Sequence, residues 1–172
     1  ADYLIGAMNA TVVLIPHVVN PRNDDRIVSR RLYDHIQDKR GVRLLAGNYM
    51  ADELKAIIGA CDLFIGCRMH ATIAATSMGV PTVAVVYGQK FHGIIGSMMG
   101  QADYVAEIGK CGPDELQAQL RTKIDSAWAN REAIRRDLAE RASAARQRAM
   151  MNGSLVRDML QARRRAARAD GT

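Results

Sequence analysis

Aromatic residues are scarce in these 172 residues, and none occurs after Trp128. Base stacking on single-stranded nucleic acid needs aromatic faces, so the basic C-terminal end has no stacking platform and nucleic-acid binding is not expected. Cysteine is also sparse. Cys61, Cys67 and Cys111 are odd in number and form no C-x-x-C pair, which suggests neither a zinc site nor a disulfide framework. Buried free thiols in a reducing cytosol are the expectation, and no metal is called for. No apolar run approaches the roughly 20 residues needed to cross a bilayer. The opening Ala1-Asp2-Tyr3 lacks the charged and apolar regions of a secretory signal. It begins within a helical pattern, so we expect a cytoplasmic piece of a longer chain.

A charge excess is missing from most of the sequence. Residues 1–130 carry equal numbers of basic and acidic side chains, so the whole formal excess of +6 lies in residues 131–172. Acids interleave with arginines up to Glu140, as on a solvated helix face, and a basic tail follows from about residue 161. Such a helix can approach an anionic membrane surface, which allows peripheral association at the inner face of a membrane.

What the chain does have is alternation. The β-branched run 11–19 reads as a buried strand that Pro16 limits and whose far end carries His17. Residues 25–39 follow as a helix with Ile27, Leu32 and Ile36 at roughly helical spacing, and 42–45 as a short strand. Leu54, Ile57, Ile58 and Cys61 stand at i, i+3, i+4 and i+7 in a helix over 52–61. Strands at 62–67, 82–86 and 103–108 alternate with a small-residue helix at 69–78 and a short helix at 92–99. From Pro113 the chain reads helical, with a break at Asn152-Gly153. Strands separated by helices of this length imply crossovers and a parallel sheet. The expectation is α/β: a doubly wound, Rossmann-like parallel sheet of about five strands over residues 1–112. A long helical extension follows over 113–172.

The densest chemistry lies between Cys61 and Lys90. An apolar run ends in Arg68-Met69-His70, where a helix begins, and Gly79-Val80-Pro81, a second apolar run, Tyr87 and Lys90 follow. Arg68 offers a fork of donors suited to a phosphate or carboxylate. The helix start favours the same anion through its unpaired N–H groups and dipole. His70, in that field, is suited to exchange a proton. Spacing alone leaves a second reading open, in which Arg68 pairs with a local acid and His70 caps the helix. Lys90 reads as a second anion contact or an exposed lysine, His17 as a residue at a strand end facing the presumed cleft or a turn histidine, and Tyr87 as a residue that packs or binds. His35 and His92 read as helix-surface or solvent-facing, and Asp24-Asp25 as a helix N-terminus rather than a catalytic pair.

The stretch D-L-F-I-G-C-R-M-H-A, then A-x-x-M-G-V-P and V-Y-x-x-K, with the upstream L-I-P-H-V-V, resembles the polysaccharide pyruvyl transferase family over roughly residues 9–105. The resemblance implies the C-terminal half of a GT-B fold, with the N-terminal GT-B domain absent from this chain. It implies an enzyme that moves the enolpyruvyl unit of phosphoenolpyruvate onto a sugar as a pyruvate ketal, releasing phosphate and using no cofactor. Arg68 then matches the arginine that holds phosphoenolpyruvate, and His70 the catalytic acid or base. His17, Tyr87 and Lys90 match recurrent positions of unassigned role. A glycan or lipid-linked sugar would be the acceptor, in exopolysaccharide or bacterial cell-wall synthesis. Two other readings remain. One is a GT-B glycosyltransferase or sugar-nucleotide enzyme, for which Glu107 is the acid placed to meet a ribose. The other is a noncatalytic assembly domain of a glycan synthesis complex. With the first domain absent, an apolar surface around Trp128 could drive homodimerisation.

Overall fold

The β-branched run at 11–19 is too long for one strand once Pro16 removes a ladder donor, and the chain divides it accordingly. In the computed structural model, which describes residues 1–88 and 91–169, β1 is Val12–Leu14 and β2 is the separate Val19–Asn20. β2 pairs antiparallel with β3, Asn23–Asp24, across a turn in which the Asn20 side chain accepts hydrogen bonds from the N–H groups of Arg22 and Asn23. That ribbon was not anticipated; it forms because the Asn20 side chain mimics a backbone acceptor.

The chain folds as two compact units, Ala1–Ala56 and Ile57–Thr172. In the first, helix α1, Asp2–Met8, ends on Asn9 in the left-handed region at φ 50°. β1 runs parallel to β4, Val42–Leu44. Between them lies α2, Asp25–His35, whose first turn is capped by the Asp24 carboxylate accepting from the Arg26 N–H at 2.9 Å. Of the expected stripe, Ile36, which follows α2 as its C-cap, is buried, but Ile27 and Leu32 on the helix are exposed. Helix α3, Ala51–Gly59, carries the chain from the first unit into the second.

The second unit holds three parallel strands in sequential order: β5, Phe64–Gly66; β6, Thr82–Val86; and β7, Val105–Glu107. β6 lies between the other two and all five of its residues are buried, which explains its unbroken β-branched character. The five strands read from the sequence form and pair in parallel, but as two sheets rather than one, with two strands in the first unit and three in the second.

The helix after β5 is α4, Met69–Ser77, and its inner face of Ala71, Thr72, Ala75 and Thr76 is buried. Small side chains let it approach the sheet closely, and the buried Thr76 hydroxyl is satisfied by donating to the Thr72 carbonyl at 2.9 Å. Its end is a complete Schellman motif. Gly79, at φ +76°, donates to Thr76, and Val80 donates back to Ala75. Pro81 then starts the run into β6.

A π-helix, His92–Met98, and a 3₁₀ turn, Ala102–Tyr104, link β6 to β7. Ala84, Val86, Phe91, Ile95 and Val105 form the core there, with Met69, Ile73 and Ile94 packed on it. Helix α5, Pro113–Ala129, packs on β6 and β7. After a one-residue interruption at Asn130, α6, Arg131–Ala169, begins against α4. The expected break at Asn152-Gly153 does not occur. An exposed glycine costs a helix only about 1 kcal/mol relative to Ala, less than a stop requires.

Candidate functional site

Parallel strands put all their carboxyl ends on one edge, and in open α/β sheets ligands collect outside that edge. In the second unit, Gly66 stands opposite Ala84, and Val86 opposite Glu107. The first residues past the strands are therefore neighbours: Cys67 and Arg68 after β5, Tyr87 after β6, and Ile108 after Glu107 of β7.

Arg68 is the N-cap residue of α4, with extended backbone (φ −97°, ψ 124°), and its side chain makes no capping hydrogen bond. Its carbonyl accepts the Thr72 N–H at 3.0 Å, closing the first helical turn. No side-chain cap from Arg68 meets the N–H groups that open the helix, where the positive end of the helix dipole lies. His70 follows at the second helical position and is exposed, whereas Met69 between them is drawn onto the sheet core. The R-M-H triplet thus has a simple logic. Its apolar middle anchors to the core, and the two polar residues flank that anchor at the helix start. Arg68 and His70 both belong to the start of α4.

Tyr87 is 69% exposed at the end of β6, its ring set edge-on to Phe91 with centroids 6.1 Å apart. Lys90 lies outside the described residues. His17 belongs to the first unit, just beyond β1. The Asp25 carboxylate accepts from the backbone N–H groups of His17 and Val18 at 3.3 and 2.9 Å. Asp24 and Asp25 are therefore structural, as expected. The Arg26 guanidinium holds the Asp24 carboxyl below the usual carboxylate range. His35 also lies on a helix surface as expected, with Nδ1 2.7 Å from the Arg31 carbonyl oxygen.

The same edge carries a cluster that residue-by-residue reading missed. Glu107, at the end of β7, receives His92 Nε2 at 3.0 Å on one oxygen and Lys110 Nζ at 2.8 Å on the other. The Lys110 hydrogen bond, opposed by partial burial and aided by His92, holds the Glu107 carboxyl below its usual range. The available signal was topological: an acid ending one strand and a histidine following its neighbour belong to a single rim. With both oxygens engaged, Glu107 is poorly placed to accept from a ribose.

Cys67 is exposed rather than buried, because it falls just past the end of β5, while Cys61 is half-buried. Burial, with Asp62 adding, pushes the Cys61 thiol up and away from reactivity. Among the described residues, no group of three His, Cys, Asp or Glu side chains is placed to hold a metal ion.

Fold and rim together define an α/β protein of parallel strands whose polar chemistry gathers at the carboxyl edge. The chain belongs to the polysaccharide pyruvyl transferase family, whose profile matches residues 2–89, a span that includes His17, Arg68, His70 and Tyr87. It is similar to the amylovoran biosynthesis protein AmsJ of Erwinia amylovora, at 26% identity over 137 residues. That match takes in 80% of this chain and 31% of the relative, so the chain spans about a third of the length of the protein it matches. No solved structure matches the chain.

Proposed function

We propose that the carboxyl edge of the β5–β7 sheet is the donor site of a pyruvyl transferase. In this reading phosphoenolpyruvate supplies a pyruvyl group that becomes a ketal on two hydroxyls of a polysaccharide or lipid-linked sugar. The chain supplies the C-terminal half of a GT-B enzyme of exopolysaccharide synthesis, and the rest of the acceptor site comes from the longer protein. The observation that carries the reading is Arg68 as the N-cap of α4 with His70 two residues on, in a chain of this family.

The chemistry demands little more than charge and a proton. Phosphoenolpyruvate brings a phosphate and a carboxylate, which Arg68 and the α4 N-terminus suit. Its methylene carbon takes a proton from His70, and the central carbon gains oxocarbenium character. A sugar hydroxyl adds there and loses its proton, the bond to phosphate breaks, and a second hydroxyl closes the ketal and loses its own proton. Lys90 serves as a further anion contact, and Tyr87 as a wall of the cleft. The hydroxyl protons need an acceptor. The His92–Glu107 pair stands two strands along the same rim, about 10 Å away at ordinary strand spacing.

The test uses the full-length gene product with phosphoenolpyruvate and glycan acceptors, following phosphate release. His70→Ala is expected to slow transfer by about 10²–10⁴, the usual contribution of a positioned acid or base, without changing the melting temperature. Wild-type turnover in that variant removes His70 from the mechanism. Titration with nucleotide sugars separates this reading from a glycosyltransferase, because only the latter binds them tightly.

A further inference from the structure

The second half of α6 leaves the body of the protein. Ile134 and Leu138 are buried and Arg135 reaches Asp62 at 3.1 Å, so the first turns are packed. From Arg146 to Arg163 every residue is exposed. This stretch is not polar. Met150, Met151, Leu155, Val156, Met159 and Leu160 are each more than half exposed. Monomeric soluble proteins rarely leave an apolar surface of this extent uncovered, and a lone helix of this length is marginal in water.

The residues are ordered around the helix. At about 100° per residue, Met151, Leu155 and Met159 form one line; Val156 falls about 100° from Leu155, and Leu160 and Met150 about 140° from it on opposite sides. Arg146 and Arg157 fall about 180° from Leu155. Arg148 and Arg163 sit near the two ends of the apolar line, where long stems can lie along it and lift their charges out. Asp158 is the one acid between Arg141 and Ala169, and it neighbours Arg157 at 3.7 Å.

We propose that α6 beyond Arg146 is an interfacial helix that seats Met151, Leu155 and Met159 in a bilayer surface bearing anionic headgroups. The charge pattern selects this occupant. A second copy seated on this line would bring its own arginines against Arg148 and Arg163 at the two ends, whereas an anionic surface neutralises these two while the acyl boundary covers the apolar line. No helix among the described residues is long and apolar enough to cross a membrane, so the helix lies on the surface. The inference is independent of the pyruvyl transfer reading, and its partner is the lipid surface itself.

The test is co-sedimentation of the full 172-residue chain with phosphatidylcholine vesicles, alone or containing about 30% phosphatidylglycerol. Binding is expected with the anionic vesicles only, weakening as salt is raised. The double variant Leu155→Glu, Met159→Glu should bind at least about tenfold more weakly. Both sites are exposed, so its melting temperature should match wild type. A chain that stays in the supernatant with anionic vesicles overturns the proposal, as does a double variant that binds like wild type. Light scattering that shows a dimer, dissociated by the same variant, without vesicle binding would assign the face to a second copy instead.

Discussion

In the proposed donor site Arg68 and His70 have different tasks although one residue separates them, and their substitutions should differ in kind. A lysine in place of Arg68 keeps the charge but loses the planar fork. Arg68→Lys in the full-length enzyme should therefore raise the KM for phosphoenolpyruvate more than it lowers kcat, whereas His70→Ala should act on kcat. An unchanged KM would remove Arg68 from the donor site. Glu107 offers a pH test of the rim. Its carboxyl is held low, first by Lys110 and then by His92. A carboxyl lowered in the folded state stabilises the fold above its unfolded value and loses that contribution as pH falls through the folded one. Glu107→Gln should thus melt below wild type near neutrality, and the two should converge as the pH drops below the ordinary glutamate value of 4.5. A gap that persists in acid would mean that Glu107 contributes through packing rather than charge.

At the scale of elements, the link from α4 to β6 holds the rim in place, because it sets where the helix start lies relative to the strands. Gly79 at φ +76° makes the link, and an added Cβ there would meet nothing closer than the Arg135 carbonyl oxygen at 4.0 Å. Space is not limiting, so the cost of a side chain is the backbone conformation alone. Gly79→Ala should destabilise the protein by about 1–2 kcal/mol, read as a lowered denaturant midpoint with an unchanged slope. A neutral result would mean that the Schellman turn relaxes at no cost. The π-helix after β6 illustrates the opposite case. Its residues read as an ordinary short helix, yet it winds as a π-helix, with Phe91 and Ile95 packed into the core.

For the whole molecule, the contrast is between a packed second unit and an arm that touches little. Trp128, the expected centre of an apolar surface, is half-buried and covered on one face by the Arg131 guanidinium, 4.3 Å from the ring centroid. Among the described residues the arm carries the longest series of large exposed apolar side chains, from Met150 to Leu160. Stability therefore varies along the chain. Trypsin under native conditions and without lipid should cut first after Arg146, Arg148, Arg157 or Arg163, leaving a fragment with an unchanged melting transition. First cuts within 57–129, found by mass spectrometry, would contradict this division.

Much of this was legible in sequence, and for identifiable reasons. The periodicity of Leu54, Ile57 and Ile58, the Gly79-Val80-Pro81 stop and the buried run at β6 are local signals, because hydrogen-bond geometry and side-chain spacing act over a few residues. They sufficed to place the strands and to set Arg68 and His70 at a strand-to-helix junction. The pairing of Glu107 with His92 and Lys110, the division of the 11–19 run and the exposure of Ile27 and Leu32 depend on what lies across from each residue. So does the persistence of α6 through Gly153. Such neighbours are far apart along the chain and meet only when the strands align, so tertiary structure alone could decide them.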